Sequence, residues 1–175
     1  MESFRLSLLN AESDALAGKA NAYCMLDGNF VDVEVKVLLG DAAELVSKLE
    51  ELFVLVNSVS RTSPSLEVWN AVLPKWFIEA CAPEATQDQL EEEMSLKRSM
   101  IFEEWVNMMN LKPWSVSSWV YWFEPARRNW FWNKGKEITP KNISLNIFAI
   151  DYPLTTDSLR WAVKAAGGEV KSIDC

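Results

Sequence analysis

Val31-Asp32-Val33-Glu34-Val35-Lys36-Val37, running on into Leu38 and Leu39, alternates valine with charge at the two-residue period of a β-strand. Its valine row needs an apolar layer, while the charged row can stay in water. That is the habit of an antiparallel sheet with helices over one face. Just upstream, Asp27-Gly28-Asn29 has turn composition, and Ala20, Ala22, Cys24 and Leu26 alternate with Asn21, Tyr23 and Met25. This predicts a hairpin between the 20–26 arm and the valine strand. Phe4, Leu6 and Leu8, alternating with Arg5, Ser7 and Leu9, predict a third strand beside it.

Downstream, Asp41-Ala42-Ala43-Glu44 has the form of a helix cap, and Leu45, Leu49, Leu52, Phe53 and Val56 follow at helical spacing, a helix for the valine face. Leu66, Trp69, Leu73, Trp76, Phe77 and Ala80 make a stripe interrupted by Pro74, which predicts two short helices or a kinked one. Thr86-Gln87-Asp88-Gln89 is a second cap. Leu90, Met94, Ile101, Trp105 and Met108 then mark one face of a helix running to about Met109, with Glu92, Glu93, Glu103 and Glu104 on its outer side. Pro113 and Pro125 bracket a short helix with Val116, Trp119, Val120 and Phe123 on one face. Asn133 to Lys136 then return the chain to a strand. Ile143, Leu145, Ile147 and Ala149 predict a further strand. Leu159, Ala162, Val163 and Ala166 predict a helix ended by Gly167 and Gly168, and Glu169 to Ile173 a last edge strand. The expected fold is α+β, a mostly antiparallel sheet of about three to five strands with about five helices packed largely on one face. A single domain over 1–175 is expected, with an N-terminal strand meander near 3–39, a helical middle near 41–132 and a C-terminal strand-helix-strand near 142–173.

Composition narrows the chemistry. Seventeen basic against twenty-five acidic residues give a net charge of −8, which repels phosphate and disfavours nucleic acid while favouring a basic partner. The chain has no histidine, which removes Ser-His-Asp and Cys-His catalysis and nearly every catalytic zinc or facial-triad iron site. Cys24, Cys81 and Cys175 are widely spaced, with no CxxC pair, so neither a disulfide framework nor a metal site is expected. With no signal-peptide pattern near Glu2 to Asp14 and no apolar run of membrane-spanning length, the expectation is a cytoplasmic protein with no membrane partner. Asn142-Ile143-Ser144 matches a glycosylation acceptor but reads better as part of a strand. Neither GxGxxG, Walker, GxSxG nor EF-hand spacing is present, so no cofactor is expected.

What stands out is Leu111 to Trp132, with eight large aromatic rings. Trp119 and Phe123 fit a core stripe, but Trp114, Trp122, Trp130 and Trp132 cannot all share it. Together with Arg127 and Arg128 they form the candidate protein-contact set, because tryptophan and arginine dominate binding hot spots. Lys134, Lys136 and Lys141 lie nearby; the plainer reading of these cations, with Arg127 and Arg128, is pairing with the acidic helix face at Glu92, Glu93, Glu103 and Glu104 or with carboxylates elsewhere. The leading functional expectation is a non-enzymatic cytoplasmic binding module, in its sharpest form an immunity or inhibitor protein acting on a basic partner. One alternative is an enzyme or small-ligand protein with an aromatic pocket around 114–132, using Glu124, Arg127 or Tyr152. Another is a structural subunit in which all nine tryptophans are enclosed. A homo-oligomer is left open.

Overall fold

A computed structural model describes residues 2–151 and 153–174. The valine strand, β1 (Asn29–Val37), sits inside a four-stranded antiparallel sheet. Its partners are β2 (Trp130–Thr139), β3 (Asn142–Ala149) and β4 (Gly168–Asp174), in the order β2-β3-β1-β4. The register pairs Val31 with Ile147 and Val33 with Leu145, so the apolar rows of β1 and β3 share one face. With eight α-helices among the described residues, the fold is α+β.

Over the valine face lies α2 (Ala42–Val59), started by the Asp41 carboxylate, which accepts from the Glu44 amide at 2.8 Å. Leu45, Leu49, Leu52, Phe53 and Val56 are fully buried there. Two short helices follow, α3 (Leu66–Val72) and α4 (Lys75–Ala80). Pro74 caps α4, where the missing amide costs no helical bond. After α5 (Gln87–Ser99), α6 (Phe102–Leu111) and α7 (Val116–Val120) comes a 3₁₀ turn at Tyr121–Phe123. Last is α8 (Asp157–Ala166), closed by Gly167 at φ 101°, a left-handed cap that only glycine adopts cheaply.

The N-terminal third departs from the sequence reading. Phe4 to Leu8 belongs not to a strand but to a helix, α1 (Glu2–Leu16), whose inward side carries Leu8, Leu9, Ala11 and the charged Glu12. Burying a carboxylate on that face blurs its apolar signature and leaves a chance alternation at Phe4, Leu6 and Leu8. Nor is there a hairpin before β1. The 20–26 stretch coils in tight turns, with the Cys24 amide donating to the Asn21 carbonyl and the Leu26 amide to the Tyr23 carbonyl. Gly28 is present for room rather than for a turn, since a Cβ there would meet the Ala149 carbonyl oxygen at 2.5 Å.

A second, smaller core lies on the other face of the sheet, where Leu8, Leu9, Ala11 and Tyr23 cover Phe131 and Phe148. Tyr23 stacks on Phe148 with ring centroids 4.5 Å apart. α1 also closes the outer edge of β2, where the Trp132 amide donates to Glu12 at 2.7 Å and the Tyr23 hydroxyl donates to the Trp132 carbonyl at 2.6 Å. At Trp132 the backbone groups that an edge strand normally presents to solvent or to another chain are thus taken by two side chains. At the opposite edge, β4 carries a Glu169–Lys171 pair, and the β1–β4 register shifts between Glu34 and Val35.

Candidate functional site

The aromatic segment divides into core and surface. Trp130, Trp132 and Arg128 are only 2%, 1% and 3% exposed, so these three contact candidates lie inside the protein. The cause is strand alternation: Trp130 and Trp132 point into the valine-face core, where Trp132 stacks on Phe53 at 5.1 Å and Trp130 meets Phe53 edge-on at 5.4 Å. Trp119 extends this column between Phe77 and Phe123, and its indole N–H donates to the Ser158 carbonyl at 2.8 Å.

Arg128 is held by an ion pair with Glu12, itself completely buried. Its Nε donates to the Trp130 carbonyl at 3.0 Å, and its guanidinium lies 4.5 Å from the Phe131 ring centre. The Glu12 carboxylate also accepts from the Asn57 side chain at 2.7 Å, which ties α1 to α2 and to β2. Burial, followed by the Glu12 charge, pushes the Tyr23 phenol far above its ordinary range. Glu12, Tyr23, Asn57 and Arg128 are all buried and tie α1, α2 and β2 together.

Trp114, Trp122 and Arg127 do reach the surface. Trp114 is positioned by two segments pinned together. The Ala82 amide donates to the Trp114 carbonyl at 2.9 Å, and the Glu84 carboxylate accepts from the Ser117 amide at 2.9 Å and from the Ser117 hydroxyl. Burial alone would raise the Glu84 carboxyl, but hydrogen bonds from Ser117 and Ser115 outweigh it and hold the group below its ordinary range. Ser115 caps α7 by accepting from the Ser118 amide, and the turn after α7 sets Trp122 beside Tyr121. The Arg127 guanidinium lies 3.8 Å over the Tyr121 ring while pairing with Glu124 at 2.8 Å. Glu124 and Arg127, two residues considered for chemistry, therefore engage each other. Tyr152 lies outside the described residues. Five of the nine tryptophans are buried, while Trp76, Trp105, Trp114 and Trp122 remain partly in solvent.

Trp114 and Trp122 face a half-open cleft of about 410 Å³ whose other wall is Leu90 and Glu93 of α5 and Met109 of α6. Here the structure overturns a further expectation, since the helix begun at Thr86 does not run straight to Met109. The Thr86–Gln89 capping box forms as the sequence predicts. Met100 and Ile101 then take extended conformations, and the chain folds back. Lys112 reaches Glu93 at 2.6 Å and Lys97 lies 6.0 Å from the Trp105 ring centre, contacts that define an antiparallel helical hairpin. A straight helix would have carried Trp105 away from α5. No glycine or proline marks the bend; the one local sign is Ser99, whose hydroxyl donates to the Leu96 carbonyl.

Much of the apolar surface of the hairpin is open: Leu90, Met94, Ile101 and Phe102 are 45%, 56%, 62% and 74% exposed, whereas Trp105 and Met108 are half-buried. The hairpin is also acidic. Residues 86–111 carry six carboxylates against two cations, half of the net charge of −8. Asp88, Glu91, Glu92, Glu103 and Glu104 form no ion pair among the described residues. The cations around the aromatic segment do not neutralise them: Arg127 and Arg128 pair elsewhere, and Lys141 donates to the Gly40 carbonyl.

Among the described residues no group of three or more Cys, Asp or Glu is placed to hold a metal ion, and no helix is long and apolar enough to cross a membrane. Comparison with protein-family models, with curated proteins and with solved structures finds no match for this chain.

Proposed function

We propose that the chain is a non-enzymatic, cytoplasmic protein-binding module that engages a more basic partner through the α5–α6 hairpin and the adjoining Trp114–Trp122 cleft. Its sharpest form is an immunity or inhibitor protein that neutralises its target by occupying it. One observation carries this reading: a row of exposed large apolar side chains lies on the same short hairpin as five carboxylates that form no ion pair among the described residues. Apolar groups supply the affinity of a contact, and surrounding charge speeds encounter with a partner of opposite sign. Trp114, Trp122 and Arg127 remain in the proposed contact set. Arg128, Trp130 and Trp132 act instead as the scaffold beneath it.

The test is capture of a basic partner by the wild-type protein and by Leu90→Glu/Met94→Glu, with salt titrated in each. Retention by wild type, loss in the variant and weakening by salt support the proposal. Retention that neither the variant nor salt alters refutes it. These side chains are exposed, so the variant should melt close to wild type.

A second reading, a small-ligand protein, draws on the cleft itself, where two indoles meet the Lys112–Glu93 pair. A compact apolar ligand that quenches Trp114 and Trp122 with saturable affinity would favour it over the module.

A further inference from the structure

We infer that the element captured by the hairpin is a basic amphipathic α-helix, which lies along α5 and α6 as the third member of a three-helix bundle and seats one large apolar side chain between Trp114 and Trp122. The inference rests on the protein-binding reading above and specifies the chemistry of the partner.

Helical geometry is the first ground. On α5, Leu90 and Met94 are one turn apart, and on α6, Phe102, Trp105, Val106 and Met109 recur at steps of three and four. Leu90 and Met109 line the same open cleft, which places one end of each stripe on either side of it. Two antiparallel helices with an open groove between their apolar stripes lack the third helix that ridges-into-grooves packing would place there. α5, of 13 residues, spans about 20 Å, which a partner helix of about four turns would match.

Backbone chemistry is the second ground. An extended peptide gains affinity by adding to a sheet edge, and this groove is walled by helices whose amides and carbonyls are largely bonded within themselves. On the sheet edge nearest the aromatic core, β2 is closed at Trp132 by Glu12 and Tyr23. Side-chain packing is what remains, and it favours a preformed ridge.

Charge is the third ground, and it decides between occupants. A second copy would bring an identical hairpin, six carboxylates and two cations, against the first. A lysine- or arginine-bearing helix would meet the negative charge of the hairpin, with Glu91 and Glu103 at the borders of the two stripes, neither of them in an ion pair among the described residues. Opposite charge therefore selects a foreign helix over self-association.

The experiment uses two synthetic peptides of the same leucine and lysine content, each about four helical turns long. One carries leucine at i, i+3, i+4 and i+7; the other has the spacing scrambled. Binding is read by titration of the full chain through tryptophan emission and by peptide helicity in circular dichroism. The patterned peptide is expected to bind, gain helix on binding and outbind the scrambled one by at least about tenfold. Leu90→Glu/Met94→Glu should weaken it by at least about tenfold although the variant adds two negative charges. Equal binding of the two peptides, or tighter binding to the variant, would overturn the helix assignment and leave a basic partner in place. Failure of both peptides to bind at low salt would overturn the basic partner as well.

Discussion

Replacing Arg128 with Met should be among the most damaging single changes available in this protein. The guanidinium is buried and pairs with a carboxylate that is fully buried too, so the substitution leaves Glu12 charged, dehydrated and short of its strongest partner. Glu12 would keep the Trp132 amide and the Asn57 amide, both neutral donors. Breaking one side of a buried pair typically costs about 3–5 kcal/mol. Against a total stability of about 5–15 kcal/mol for a domain, that is a large fraction. In a chain of this size each kcal/mol lowers the melting temperature by roughly 2–4 °C, so Arg128→Met should melt roughly 6–20 °C lower. The partner substitution supplies the control. Glu12→Gln keeps an oxygen for the Trp132 amide while removing the stranded charge, so the double variant should recover at least about 2 kcal/mol relative to Arg128→Met alone. Urea unfolding followed by circular dichroism at neutral pH measures all four corners of the cycle. A loss below about 1 kcal/mol in Arg128→Met, or no recovery in the double variant, would refute the view that this pair holds α1 against the sheet.

Three further outcomes are expected. Below about pH 10 Tyr23 is protonated in both states; above it the unfolded chain releases that proton while the folded one, its phenol held far higher by burial, does not. Stability should then fall by about 1.4 kcal/mol per pH unit, a slope missing from Tyr23→Phe in matched alkaline unfolding curves. Gly28→Ala should cost about 1–3 kcal/mol in a urea titration, because its Cβ would meet the Ala149 carbonyl oxygen at 2.5 Å; an unchanged midpoint would show that strand β3 yields. Acrylamide should quench a fraction of the tryptophan emission that shrinks in Trp114→Phe and Trp122→Phe, whereas Trp119→Phe, at a fully buried position, should leave that fraction in place.

How much of this was legible in the sequence follows from what each signal depends on. β1, α2, the α3–α4 break at Pro74, β3, α8 and β4 were legible because local pattern and burial agree there: valine alternation, an Asp41 cap, a proline and a glycine stop. α1 was not, since its inward face includes Glu12, whose partners Arg128 and Trp132 lie more than a hundred residues away. The 20–26 arm misled because Tyr23 is held by Phe148 and by the Trp132 carbonyl, contacts that periodicity cannot express. In the candidate site, the excess of rings over core positions matches Trp114 and Trp122, which stay partly in solvent. It misassigned Trp130 and Trp132, which strand alternation turns inward. The hairpin surface was missed because a stripe at helical spacing announces an apolar face and not what covers it. A hint was available in α5 itself, where six of thirteen residues are charged, a polar helix with little to bury.

The side-chain plug on β2 has a consequence for biosynthesis. Trp130-Phe131-Trp132 is an aromatic run of high strand propensity on a terminal strand, the kind of segment that templates cross-chain assembly when uncovered. Glu12 precedes Trp132 by 120 residues, so the helix that shields this run leaves the ribosome well before the run itself. In the folded protein α1 covers Phe131 and the backbone of Trp132. Proteolytic clipping within it should convert a well-behaved protein into one that precipitates as fibrils.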